Sequence, residues 1–98
     1  MNKIAGRGKV MIPIDFDIIV FEEDNTFVAY CPKLDISSCG DTVEGSKEML
    51  KTAVRLFIEE SEKLGTAEQI LNEAGYIKDK NGRWLPPKIV PTELVSIS

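Results

Sequence analysis

The chain has 98 residues, with 12 Lys or Arg against 16 Asp or Glu, a formal net charge of −4 and no histidine. A chain of this size makes one domain with a modest core, so part of its stability is expected from self-association as a dimer or larger homo-oligomer. The acidic balance speaks against phosphate-backbone binding, which depends on Lys and Arg, and the lack of histidine excludes Ser-His or Cys-His nucleophiles and any His-bearing zinc site.

Met1 to Gly8 reads as a loosely held tail. Val10, Ile12, Ile14, Phe16, Ile18 and Val20 then alternate strictly, with Pro13, Asp15 and Asp17 on the other side, which predicts a long, half-buried strand. Glu22-Glu23-Asp24-Asn25 is a polar turn, so the strand carrying Phe27, Ala29 and Cys31 should return antiparallel to the first. Pro32 stops that ladder because it has no N–H to donate. A short strand from Leu34 to Cys39 extends the hairpin, and Gly40-Asp41-Thr42 breaks it.

Asp41 with Glu44 three residues on has the spacing of a capping box opening a helix. Leu50, Ala53, Val54, Phe57, Ile58, Ser61 and Leu64 follow at intervals of three and four, a stripe that faces a core, while Glu48, Lys51, Arg55, Glu59 and Glu62 face water. Gly65 suits the position just past the helix end. Thr66 and Gln69 form a second capping box for a short helix bearing Ala67, Ile70, Leu71 and Ala74, ended by Gly75. Tyr76-Ile77 and Trp84-Leu85 flank Asn81-Gly82, the preferred dipeptide of a two-residue type I′ turn, so a small ribbon is expected. Pro86-Pro87 forces an extended run. Ile89, Val90, Leu94, Val95 and Ile97 then form a last apolar segment, which Pro91 confines to a sheet edge or a bulge.

These elements make a single α+β domain: a three-stranded antiparallel meander, a long helix across one face, a short helix, a ribbon and a C-terminal strand. Residues 9–76 are its core and 77–98 the ribbon and an oligomerisation strand. Cys31 and Cys39 lie on neighbouring strands out of register and are expected as free thiols, Cys31 as a small core residue. They lack the spacing and further ligands of a zinc site. Asp15, Asp17, Asp35 and Asp41 are the residue type with which a nuclease gathers divalent ions. Strand surface, turn and helix cap are commoner uses of aspartate and are preferred here, so no catalytic residue, metal or cofactor is expected. Gly6-Arg7-Gly8-Lys9 precedes a strand and opens no helix, unlike a phosphate loop. Tyr76 and Trp84 are read as the lid of the ribbon over the core in preference to an interface anchor. No stretch reaches the roughly 20 apolar residues that span a bilayer, and the N-terminus has no apolar signal core, so a cytoplasmic protein is expected.

Phe27-Val28-Ala29-Tyr30-Cys31-Pro32-Lys33-Leu34, the Gly40-Asp41-Thr42 link and the helix from Val43 with Leu50, Ala53 and Phe57 resemble the HicB-like antitoxin family. Ile70-Leu71-Asn72-Glu73-Ala74-Gly75-Tyr76 is similar to a segment of its short members, so the resemblance spans roughly residues 9 to 76. Tyr30, Cys31, Pro32, Gly40, Asp41 and Thr42 are its structural motif. The resemblance implies a partial RNase H-like core and a non-enzymatic partner of a small, basic HicA-type RNase toxin, which it binds and blocks. A stand-alone homo-oligomeric binding module without a toxin is the alternative. Many members add a C-terminal helix-turn-helix or ribbon-helix-helix module; Lys88 to Ser98 is too short for one, so direct DNA binding by this chain alone is not expected. For a basic partner, Asp15, Asp17, Glu22 and Glu23 are the expected first contacts. For self-association the expected residues are Ile89, Val90, Leu94, Val95 and Ile97, since an unpaired edge invites a second chain.

Overall fold

The structure, a computed structural model, describes residues 12–90 and 92–97. The expected tail over residues 1–8, and Val10, lie outside them. The fold is α+β: a three-stranded antiparallel sheet of β1 (Ile19–Glu23), β2 (Thr26–Cys31) and β3 (Ile36–Gly40), a long helix α1 (Val43–Lys63), a short helix α2 (Ala67–Glu73), and a two-stranded ribbon of β4 (Ile77–Lys78) and β5 (Trp84–Leu85).

The first strand is shorter than its alternation predicts. Its ladder with β2 starts at Ile19 opposite Tyr30 and ends at Glu23 opposite Thr26. Continuing that register backwards would set Asp17 against Pro32, which has no N–H, so the antiparallel partner runs out there. The leading segment pairs elsewhere: Asp15 donates its N–H to the Trp84 carbonyl at 3.0 Å, and Trp84 donates to the Pro13 carbonyl at 2.9 Å, a parallel bridge centred on Ile14. Ile12, Ile14, Phe16, Ile18 and Val20 still pack against the core, so the alternation holds where the ladder does not.

Turns differ from expectation in the same local way. Glu22 and Glu23 belong to β1, and the hairpin closes through Asp24 and Asn25 alone, with φ of 50° and 65°. Two consecutive positive φ values define the tight turn whose twist suits a hairpin, and Asp and Asn tolerate them. Leu34 and Asp35 are spent on the next turn, where Asp35 (φ 57°) donates its N–H to the Cys31 carbonyl at 2.9 Å, so β3 begins at Ile36. The ribbon turn spans residues 79–83: the Asp79 carboxylate accepts the N–H groups of Asn81 at 2.8 Å and Arg83 at 2.9 Å. Gly82 takes φ 85° and Asn81 stays at negative φ, so a side-chain-closed turn replaces the two-residue one.

Both capping boxes are corrected. Thr42, not Asp41, caps α1: its Oγ1 accepts the Gly45 N–H at 2.9 Å, while Asp41 is exposed one position outside. Thr66 makes no capping bond; its hydroxyl donates back to the Ser61 carbonyl at 3.3 Å, and Gln69 reaches Glu73. Gly65 and Gly75 end their helices at φ 76° and 89° as expected.

The helix α1 lies against β2 and β3. Leu50, Val54 and Ile58 meet Ala29 and Cys31 in a core closed by Leu71, Tyr76, Trp84 and Ile12. Leu50, Ile58 and Leu71 are fully buried, each worth roughly 1.5–3 kcal/mol. Ser46 and Ser61, also buried, return their hydroxyls to the helix's own carbonyls of Val43 and Phe57. Leu64 departs from the expected stripe and is exposed, because α1 ends at Lys63 and the chain turns away at Gly65. Residues 86–90 and 92–97 form no strand, in place of the C-terminal strand expected there. No helix among the described residues is long and apolar enough to cross a membrane.

Candidate partner-binding surfaces

Strand period puts Ile19, Phe21 and Glu23 of β1 on the same face as Thr26, Val28 and Tyr30 of β2, and the register adds Ser37 and Cys39 of β3. The helix covers the opposite face, where Ala29 and Cys31 are buried. The open face therefore carries a row of Phe21, Val28 and Cys39 across three strands, with Ile19 and Tyr30 beside it, and Phe21 is 48% exposed. Ile18-Ile19-Val20-Phe21 is the sequence signal for it, because an unbroken apolar run in a strand supplies both faces.

The four acidic residues expected at a partner surface do not form one patch. Asp15 is exposed and bound to the Arg83 guanidinium at 2.8 Å, a contact across 68 residues that fixes the leading segment against the ribbon. Asp17 is half-buried, and its charge acts on both Cys31 and Tyr76. Asp15 and Asp17 lie on this irregular segment and not within β1. Glu22 and Glu23 sit at the other end of β1, exposed beside the hairpin tip, and the pleat points them to opposite sides of the sheet.

The structural motif has local physical roles. The Tyr30 hydroxyl donates to Asp35 Oδ1 at 3.0 Å, locking the turn that Pro32 opens; this bond, more than any other influence, raises the phenol's pKa. Burial raises the pKa of the Cys31 thiol, which keeps it protonated and inert as a core residue. Cys31 pairs with Ile36 and Cys39 with Val28, so both cysteines are free, Cys31 buried and Cys39 exposed. Tyr76 and Trp84 are core residues under the ribbon. Burial also raises the pKa of the Tyr76 phenol, with the charges of Cys31, Asp17 and Asp15 adding to it, and its hydroxyl has no hydrogen-bond partner among the described residues.

Ile89, Val90, Leu94, Val95 and Ile97 are all exposed, Leu94 at 95% and Ile97 at 92%. A concavity unsuspected from the sequence lies between the leading segment and α1. It is an open groove of about 520 Å³ with Ile12, Phe16, Val54 and Ile58 among its apolar lining. Lys51, Arg55 and Arg83 supply its charge. Sequence spacing identified Lys51 and Arg55 only as wet positions of α1. Their meeting with Arg83 depends on the parallel bridge at Ile14, for which no local signal exists. Among the described residues no three His, Cys, Asp or Glu side chains gather as a metal site. No family model, curated protein or solved structure matches this chain.

Proposed function

We propose that this chain is a HicB-like antitoxin-type protein: a non-enzymatic cytoplasmic module that binds a small, basic HicA-type RNase and occludes its active site. The observation that carries the reading is the path of the chain. Two hairpin-linked strands, a third strand and a long covering helix are followed by a parallel return of Trp84 beside Ile14, which gives the lateral order β5, leading segment and β1, β2, β3. The order of three strands, a long helix and a further strand is the one on which the resemblance to HicB-like proteins rests. The motif residues Tyr30, Pro32, Gly40 and Thr42 stand at the turns and junctions that make this path.

The exposed carboxylates at the hairpin end of β1 support the choice of partner. Glu23, beside the hairpin tip, is an exposed carboxylate on the face that carries the apolar row and is suited to steering a basic protein toward that area, with exposed Glu22 adding charge from the other face. The test is a mild-salt pull-down of the tagged chain from its own cells, with smaller co-eluting proteins identified by mass spectrometry. A stoichiometric small basic protein with RNase activity supports the reading. Recovery of the chain alone, repeated at native abundance, sinks it.

A stand-alone homo-oligomeric module is the second reading. The exposed apolar side chains from Ile89 to Ile97 favour it, since apolar surface of that kind is usually covered by another chain.

A further inference from the structure

The groove and the C-terminal segment are complementary in both polarity and charge, and neither is covered by another of the described residues. The groove sets an apolar floor beside Lys51, Arg55 and Arg83, an unusual concentration of cations on a chain of net charge −4. Lys51 is engaged by Glu48 at 3.1 Å and Arg83 by Asp15 at 2.8 Å. Arg55 takes part in no ion pair among the described residues.

The segment supplies what the groove lacks. In an extended run, Glu93, Val95 and Ile97 fall on one side, a carboxylate followed by two aliphatic side chains. All three are exposed, as is Leu94. The segment also leaves the body in a defined direction: Pro87 packs over Gly75, where an added Cβ would meet its Cγ at 3.1 Å, and Pro86-Pro87 is stiff and extended. From Lys88 onward every described side chain is exposed.

We propose that residues 92–97 of one copy dock in the groove of a second copy, with Glu93 against Arg55 and with Val95 and Ile97 over Ile12, Val54 and Ile58. The exchange is reciprocal, so two tails and two grooves close a symmetric dimer and leave no unfilled site. The opposite faces of both sheets remain available to another partner. This dimer does not depend on toxin binding, and a chain that dimerises this way without silencing any RNase would remove the antitoxin reading alone.

The full chain, measured by sedimentation velocity over a concentration series, tests the proposal. Glu93→Lys and Arg55→Glu each set like charges together and are expected to weaken self-association about tenfold or more, at unchanged far-ultraviolet circular dichroism. In an equimolar mixture of the two variants, one interface joins the two substituted positions with their charges reversed and the other keeps the original Glu93 and Arg55. Both interfaces then hold opposite charges, so association is restored to the wild-type value. A chain that stays monomeric, single variants that associate like the wild type, or a mixture that stays apart would each overturn the proposal. Recovery in the double variant but not in the mixture would instead place the segment in its own groove.

Discussion

Gly40 and Ser46 meet backbone to backbone: a Cβ added at Gly40 would lie 2.8 Å from the Ser46 nitrogen and 3.0 Å from the Gly45 carbonyl carbon. This contact lets the last residue of β3 sit under the first turn of α1, and it brings the fully buried Ser46 against the sheet. The Gly-Asp-Thr link therefore serves close approach at its first residue and capping at its last.

Gly40→Ala is expected to cost about 3 kcal/mol, because the neighbouring atoms are backbone and have no side chain to swing aside. Gly65→Ala, at φ 76° with open space around it, is expected to cost only about 1 kcal/mol from conformational strain. Urea unfolding at unchanged m-value measures both. Equal costs would mean that the β3–α1 junction is looser than described.

Thr42→Ala removes the hydrogen bond to the Gly45 N–H and is expected to cost about 1 kcal/mol. Asp41→Ala removes only a carboxylate near the positive end of the helix, worth about 0.5 kcal/mol and reduced by salt. Thermal unfolding at low and high ionic strength separates them. A larger loss at Asp41 would return the cap to the residue that the sequence spacing favours.

Tyr76→Phe keeps the core volume and deletes a buried hydroxyl without a partner, so stability is expected to stay level or rise by up to about 1 kcal/mol. Burial holds the Tyr76 phenol above its ordinary value of 10.0 and the Cys31 thiol above 9.0. The unfolded chain therefore loses these protons at lower pH than the folded chain. Their contribution is intact below about pH 9, and stability falls as pH rises beyond it, because the unfolded state then binds fewer protons. Tyr76→Phe should flatten that alkaline decline in pH-dependent denaturation; an unchanged slope would contradict the burial of the hydroxyl.

One of the two thiols should react with an aromatic disulfide reagent at the rate of an exposed cysteine, and the other only on unfolding. Cys39→Ser removes the fast phase and Cys31→Ser the slow one. Two fast thiols per chain would contradict the packing of β2 against α1.

Much of the fold was legible because its signals are local. The stripe at Leu50, Val54 and Ile58, the stop at Pro32 and the helix ends at Gly65 and Gly75 follow from residue type and spacing. Errors arose where two local signals competed or where a partner lay far along the chain. Asp41 and Thr42 both suit a cap, and only backbone geometry selects Thr42. Asn81-Gly82 suits a two-residue turn, yet the Asp79 carboxylate closes a longer one. The leading segment keeps its alternation but pairs with Trp84, about 70 residues away, and the groove cations meet only through that pairing. The acidic candidates fared least well as a site, since Asp15 is held by Arg83 and Glu22 and Glu23 stand at the far end of the strand.

The most direct measurement is a titration of RNA cleavage by any small basic RNase recovered in the pull-down against increasing amounts of this chain. If the chain is an occluding antitoxin, cleavage falls to background near equivalence, and a variant carrying Glu22→Lys and Glu23→Lys needs more protein and loses more potency at low salt than at high salt. Cleavage that continues undiminished in the presence of excess chain would contradict the antitoxin reading and leave self-association as the role still proposed for the chain.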